Sequence, residues 1–158
     1  MIRISRALAL ASLVVAFGCT GTDSTGDTSA TVEDTNFASS LGVDIPNSRR
    51  TTNGAYIRDI TVGTGAAISA GQLLTVRYSL WLSTGTAIES NLNAATGFPF
   101  HLGTHEVISG WDEGIPGMRV GGKRQLIIPP SLGYGANTNG PIPGNSVLVF
   151  IVEITAAQ

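Results

Sequence analysis

From residue 50 onward, short apolar runs are broken by Gly, Pro and Asn, a pattern that predicts a sheet-rich domain. The clearest strand covers residues 72–82, where Leu74, Val76, Tyr78, Leu80 and Leu82 fall on one face and Thr75, Arg77, Ser79 and Trp81 on the other. Tyr78 therefore sits on the apolar face, where its hydroxyl needs a partner or a ligand. Residues 56–62 predict an earlier strand, ended by Gly63-Thr64-Gly65, and Ala87-Ile88-Glu89-Ser90 predict a return strand after the Thr84-Gly85 turn. A polar loop then leads to residues 98–102, in which Phe98, Phe100 and Leu102 share a face. Residues 120–129 predict another strand, and residues 147–155 a last one with Leu148, Phe150, Val152 and Ile154 aligned.

The period changes in the stretch from His105 to Ile115. Trp111, Ile115 and Met118 keep helical spacing, so a short helix turns one side to a core. Ser109 is the expected cap, with Asp112 three residues on as in a weak capping box. Pro116 limits the helix to about two turns, because the residue before a proline is pushed out of the α region. Spacing alone makes Trp111 a core tryptophan. Residues 129–144, rich in Pro, Gly and Asn, predict a long ordered loop that carries Tyr134 between two glycines and Ile142.

The first 48 residues follow other rules. Arg3 and Arg6 precede an apolar run over residues 7–17, well short of the ~20 residues that a spanning helix requires. This predicts an export signal over residues 1–18. The only cysteine, Cys19, follows Gly18, so an exported chain has no internal disulfide to form. Gly18-Cys19 resembles a bacterial lipoprotein signal, which implies lipid attachment at Cys19 and residence in a bacterial cell envelope. Thr20 in place of Asp after the cysteine favours the outer membrane over the inner. Residues 19–48, rich in Thr, Ser, Asp and Gly, are expected to form a flexible tether, with Val43, Ile45 and Pro46 as an arm able to pack on the domain. The folded domain is then expected over residues 49–158.

Charge and motif spacing narrow the chemistry. The formal net charge is −2, and becomes −4 once Arg3 and Arg6 are removed with the signal. Arg49-Arg50 and Lys123-Arg124 are isolated pairs, read as solvated surface, and nothing resembles the clustered cations of a nucleic-acid partner. Gly117 to Lys123 matches G-x-x-x-x-G-K, but Arg124 stands where a phosphate-binding loop requires Ser or Thr, and the order of elements is reversed. His101 and His105 lack a third convincing metal ligand, so no metal is expected. Asp112 and Glu113 are neighbours on a helix and do not face each other, which argues against a paired-carboxylate mechanism.

The runs His105-Glu106-Val107-Ile108-Ser109-Gly110-Trp111-Asp112-Glu113-Gly114, Gly133-Tyr134-Gly135 and Leu148-Val149-Phe150 resemble the FKBP-type peptidyl-prolyl isomerases. Val76-Arg77-Tyr78, residues 98–103 and Val120-Gly121-Gly122-Lys123 keep the family's order and spacing. The resemblance implies an α+β fold: an antiparallel half-barrel sheet of five or six strands wrapped around one short helix. It also implies peptidyl-prolyl cis-trans isomerase activity in the folding of exported proteins, without a cofactor. The pocket would be walled by Tyr78, Phe98, Val107, Ile108, Tyr134, Ile142 and Phe150, with Trp111 as its floor, Tyr134 donating to a peptide carbonyl, and Ile88 and Glu89 at the flap. Partners would be proline-containing polypeptides and the family's macrolide inhibitors, with the protein a monomer held at a membrane by its N-terminal lipid. Ile88-Glu89 replaces the family's usual Phe-Asp, and Pro141 stands in a loop one residue short. These departures predict reduced activity, or a tethered binding module that holds proline peptides without useful turnover.

Overall fold

Seven antiparallel strands and one short helix organise the computed structural model, which describes residues 30–158. In chain order they are β1 (Arg49–Arg50), β2 (Tyr56–Thr61), β3 (Leu73–Leu82), β4 (Ala87–Ser90), β5 (Phe98–His101), α1 (Ser109–Gly114), β6 (Lys123–Ile128) and β7 (Leu148–Ala157). The expected strands all form, and the two-residue β1 adds a seventh to the five or six anticipated. The predicted signal over residues 1–18 and the lipid site at Cys19 lie outside the described residues.

The sheet runs β1-β2-β6-β7-β3-β4, with β5 also on β3. Along one edge β3 pairs with β7, from Leu74 opposite Ala157 to Leu82 opposite Leu148. Its other edge is divided: β5 takes the first part, with Val76 opposite Phe98, and β4 the last, with Ser79 opposite Ser90. Inward side chains of β3 (Leu74, Val76, Leu80), β6 (Leu126, Ile128) and β7 (Leu148, Phe150, Val152, Ile154) are buried around Trp111, Ile115 and Met118. Each is worth about 1.5–3 kcal/mol of burial, which makes this face the main source of stability.

Helix α1 lies against β6 at glycine distance. A Cβ on Gly110 would come within 2.6 Å of Ile128 Cγ2, and one on Gly114 within 2.9 Å of Leu126 Cδ2. The helix starts without the expected side-chain cap: Ile108 is the N-cap, and Ser109 is the first helical residue. Asp112 instead turns its carboxylate to the preceding loop, accepting from Gly103 N at 2.8 Å and His105 N at 3.2 Å. Glu113 reaches the other way and accepts from Asn53 N at 2.8 Å. The two acids thus fasten a loop on either side of the helix.

Arg124 corrects the reading of Lys123-Arg124 as solvated surface. Its side chain is buried, with Nε 2.7 Å and Nη2 3.1 Å from the two oxygens of Asp59. Nη1 donates to Gly114 O at 2.7 Å and Pro116 O at 3.3 Å, where Pro116 ends the helix and leaves carbonyls without helical donors. A cation at this end also suits the helix dipole. Lys123 keeps a half-exposed ion pair with Glu153.

Residues 31–48, expected as flexible tether, form a strap across the convex side of the sheet. Val32 is buried with Tyr56, Ile127 and Val147, and Phe37, Val43 and Ile45 pack on the same cluster. A 3-10 turn at Ser39–Leu41 and left-handed Gly42 reverse the strap. Arg58 Nη2 donates to Gly42 O at 2.7 Å, Gln125 Nε2 to Leu41 O at 2.8 Å, and the Tyr56 hydroxyl to Glu33 Oε1 at 2.6 Å. The packing reaches beyond the arm anticipated at Val43, Ile45 and Pro46, and the folded unit begins well before residue 49.

Candidate active site

Trp111 floors a cavity of about 350 Å³ at the open end of the barrel. The helix holds the indole because Gly110 lets α1 approach β6, which brings the next side chain beneath β3 and β7. Three rings meet the indole edge-on: Tyr78 at 5.2 Å between centroids, Phe100 at 5.6 Å and Phe150 at 5.4 Å, at interplanar angles of 60–83°. Such T-shaped pairs set the negative face of one ring against the positive edge of another and fix ring orientation. The buried Trp111 Nε1 has no hydrogen-bond acceptor among the described residues, so packing holds this ring.

Tyr78, Glu89, Phe98, Val107, Ile108, Trp111, Tyr134 and Phe150, all picked out in the sequence, line this one cavity. Ile88 and Ile142 do not line it. Ile142 is buried in the main core, folded in by a loop bridge with Asn139, and Ile88 packs against that core from the edge strand. The register between β3 and β4 shifts here, with Leu80 opposite Glu89 but Trp81 opposite Ala87. Ile88 is the extra residue of this bulge. A bulge re-aims side chains, which lets Ile88 touch the core while Glu89 lines the cavity.

Leu80, His105 and Glu106 also line the cavity and are not among the pocket residues expected from the sequence. Leu80 was legible from the alternation of its strand. His105 has a φ of 60°, an uncommon conformation for a residue other than glycine, held by the bond from its N–H to Asp112. Glu106 folds back on His101, accepting from its backbone N at 2.8 Å and facing its Nδ1 at 2.9 Å. The backbone bond, above all, holds the Glu106 carboxyl below its usual value. The residues just before Val107 and Ile108 are therefore anchored to β5 through His101 and to α1 through Asp112.

The polar groups divide into one closed pair and one open donor. The Tyr78 hydroxyl donates to Glu89 Oε1 at 2.7 Å. Burial, and then this bond, push the Tyr78 phenol well above its ordinary value. Asn91 steadies the same tyrosine's backbone, its N–H donating to Tyr78 O at 2.9 Å. The Tyr134 hydroxyl has no hydrogen-bond partner among the described residues, and burial followed by the Glu89 charge raises its pKa too. Phe98 and Tyr134 are 39% and 37% exposed, large apolar surface left open at the cavity mouth.

Residues 65–155 match the family model for FKBP-type peptidyl-prolyl cis-trans isomerase. The chain belongs to that family. It is 43% identical over 102 residues to an FK506-binding protein of Neisseria meningitidis serogroup B, covering 64% of this chain and 94% of that one. It is 44% identical over 107 residues to the 46 kDa FK506-binding nuclear protein of Spodoptera frugiperda, covering 67% of this chain but only 26% of that larger protein. The crystal structure of AtFKBP13 is similar at a TM-score of 0.65 and 36% identity, covering 70% of this chain and 98% of that one. The family match begins after the strap and β2, so residues 31–61 lie outside it.

Proposed function

We propose that this FKBP-type isomerase works through the aromatic cavity, binding a prolyl ring over Trp111 and stabilising the twisted amide. The observation that carries the proposal is the convergence of Trp111, Tyr78, Phe98 and Phe150 on one open cavity beside the unpaired Tyr134 hydroxyl. Rotation about an X–Pro bond faces a resonance barrier of ~18–20 kcal/mol and takes tens to hundreds of seconds unaided. At the top of the barrier the amide has lost its resonance and part of its charge separation, so an apolar, water-poor cavity favours it over the planar form. Tyr134 would donate to a carbonyl of the bound peptide, while Val107 and Ile108 would meet its backbone. Contacts specific to the twisted state raise the rate tenfold for each ~1.4 kcal/mol.

The two curated relatives are named for binding FK506, and the same cavity is the proposed site for macrolides of that class. With its Arg-flanked apolar start and Gly18-Cys19, the chain would act on proline-containing polypeptides at a bacterial cell envelope, attached to the outer membrane through lipid on Cys19. Radiolabelled palmitate incorporation lost in Cys19→Ala tests that attachment.

The isomerase proposal is tested by the cis-to-trans conversion of a short Ala-Leu-Pro-Phe peptide. The wild-type chain should accelerate it, and Trp111→Leu should lower kcat/KM by at least about tenfold with the circular dichroism unchanged. No acceleration over buffer at micromolar protein would overturn the reading.

A further inference from the structure

We infer that the strap of residues 31–48 is a positioning element for Glu89, fixing the β3–β4 turn so that the edge strand holds its carboxylate against Tyr78. The inference rests on the cavity being the site of isomerisation. Strand β4 is four residues long, pairs only with β3, and carries the bulge at Ile88. A short edge strand of this kind opens easily, because one ladder is all that holds it. Two further fastenings secure it. At its far end Ser79 and Ser90 join their hydroxyls at 2.6 Å, and Asn91 binds Tyr78.

At the turn end the fastening comes from the strap. Ala38 N–H donates to Ser83 O at 2.9 Å. Gly85, at a φ of 88°, lies so close that a Cβ there would stand 3.0 Å from Ala38 Cβ and 3.3 Å from Ser40 Oγ. The strap itself is anchored to the middle of the sheet by Gln125 and Arg58 and by the cluster around Val32. It thus ties the turn to β2 and β6, neither of which pairs with β3 or β4. The anchored turn fixes the register at Ala87, and that register determines where Ile88 bulges and where Glu89 points.

Ala38 provides a narrow test, since its φ of −59° is one that proline adopts, while proline has no N–H to donate. In the full chain, Ala38→Pro should speed hydrogen exchange at the amides of residues 86–90 and lower kcat/KM severalfold. Ala38→Ser, which keeps the donor, should match the parent in both. Trp111→Leu is measured alongside. If it abolishes turnover while Ala38→Pro leaves turnover and exchange unchanged, the strap does not position Glu89. Faster exchange with unchanged kcat/KM would also overturn the inference, leaving the strap a stabilising contact only. If Trp111→Leu has no effect, it is the cavity reading that fails, and the exchange data still report whether the strap holds β4.

Discussion

Glu89 Oε1 accepts the Tyr78 hydroxyl at 2.7 Å across the cavity wall, so the longer acid in this chain still finds a partner inside the site. The Ile88-Glu89 departure has a specific geometry here: the register shift at Ile88 leaves Glu89 on the cavity wall, where its carboxylate meets Tyr78 and not Tyr134. Glu89→Ala leaves a half-buried hydroxyl without its acceptor, which should cost about 1 kcal/mol of stability. It should also bring the Tyr78 titration down toward the ordinary tyrosine value, read as absorbance at 295 nm. An unchanged titration curve would mean that burial alone governs this phenol.

Gly110 sets the depth at which the helix sits. Gly110→Ala places a methyl into Ile128 and should cost about 1–3 kcal/mol by overpacking. Because the helix moves as a unit, the indole shifts with it, and kcat/KM should fall even in the fraction that remains folded. Urea denaturation together with peptide turnover separates the two effects. A variant that loses stability but keeps full turnover would show that Trp111 tolerates displacement.

Arg124→Met removes the donors to Gly114 and Pro116 along with the Asp59 pair and should destabilise the fold by about 2–3 kcal/mol. Asp59 is 43% exposed and can turn to water, so most of this loss belongs to the helix end. Asp59→Asn, which keeps an acceptor, should cost less. Equal losses in chemical denaturation would contradict that division.

The strap should loosen in acid. The Tyr56 hydroxyl bond, then Glu33's own backbone N–H and to a smaller degree the nearby Arg50, hold the Glu33 carboxyl below its usual value of 4.5. A depressed carboxyl contributes stability that is present above the unfolded value and lost as pH falls through the folded one. Exchange at residues 31–35 should therefore rise below about pH 4.5 in the wild type. In Glu33→Gln that step should be absent. A step at the same pH in the variant would assign it to another group.

Periodicity made the barrel legible. The alternation through Leu74, Val76 and Leu80 and the helical spacing of Trp111, Ile115 and Met118 describe the core as it stands, because each element buries one face. The strap was harder to read. Val32, Phe37, Val43 and Ile45 follow neither period, since they dock singly from irregular backbone onto a sheet that already has its own core. Arg124 was misread for a related reason: its partner Asp59 is 65 residues away, and a charge on a strand looks solvated until the opposing element is known. Ile88 and Ile142 went astray through a bulge and a folded loop, two irregularities that move a side chain without changing the surrounding pattern.

The division of the β3 edge between β4 and β5 has a consequence for crowding. An uninterrupted free edge is a template on which a second chain can add its own strand and begin to aggregate. Here that side of the sheet ends in two four-residue strands separated by a polar loop, and the opposite side is broken by the register shift between Asp59 and Thr61. Neither side offers a long straight ladder, so neither invites a second chain to extend this sheet.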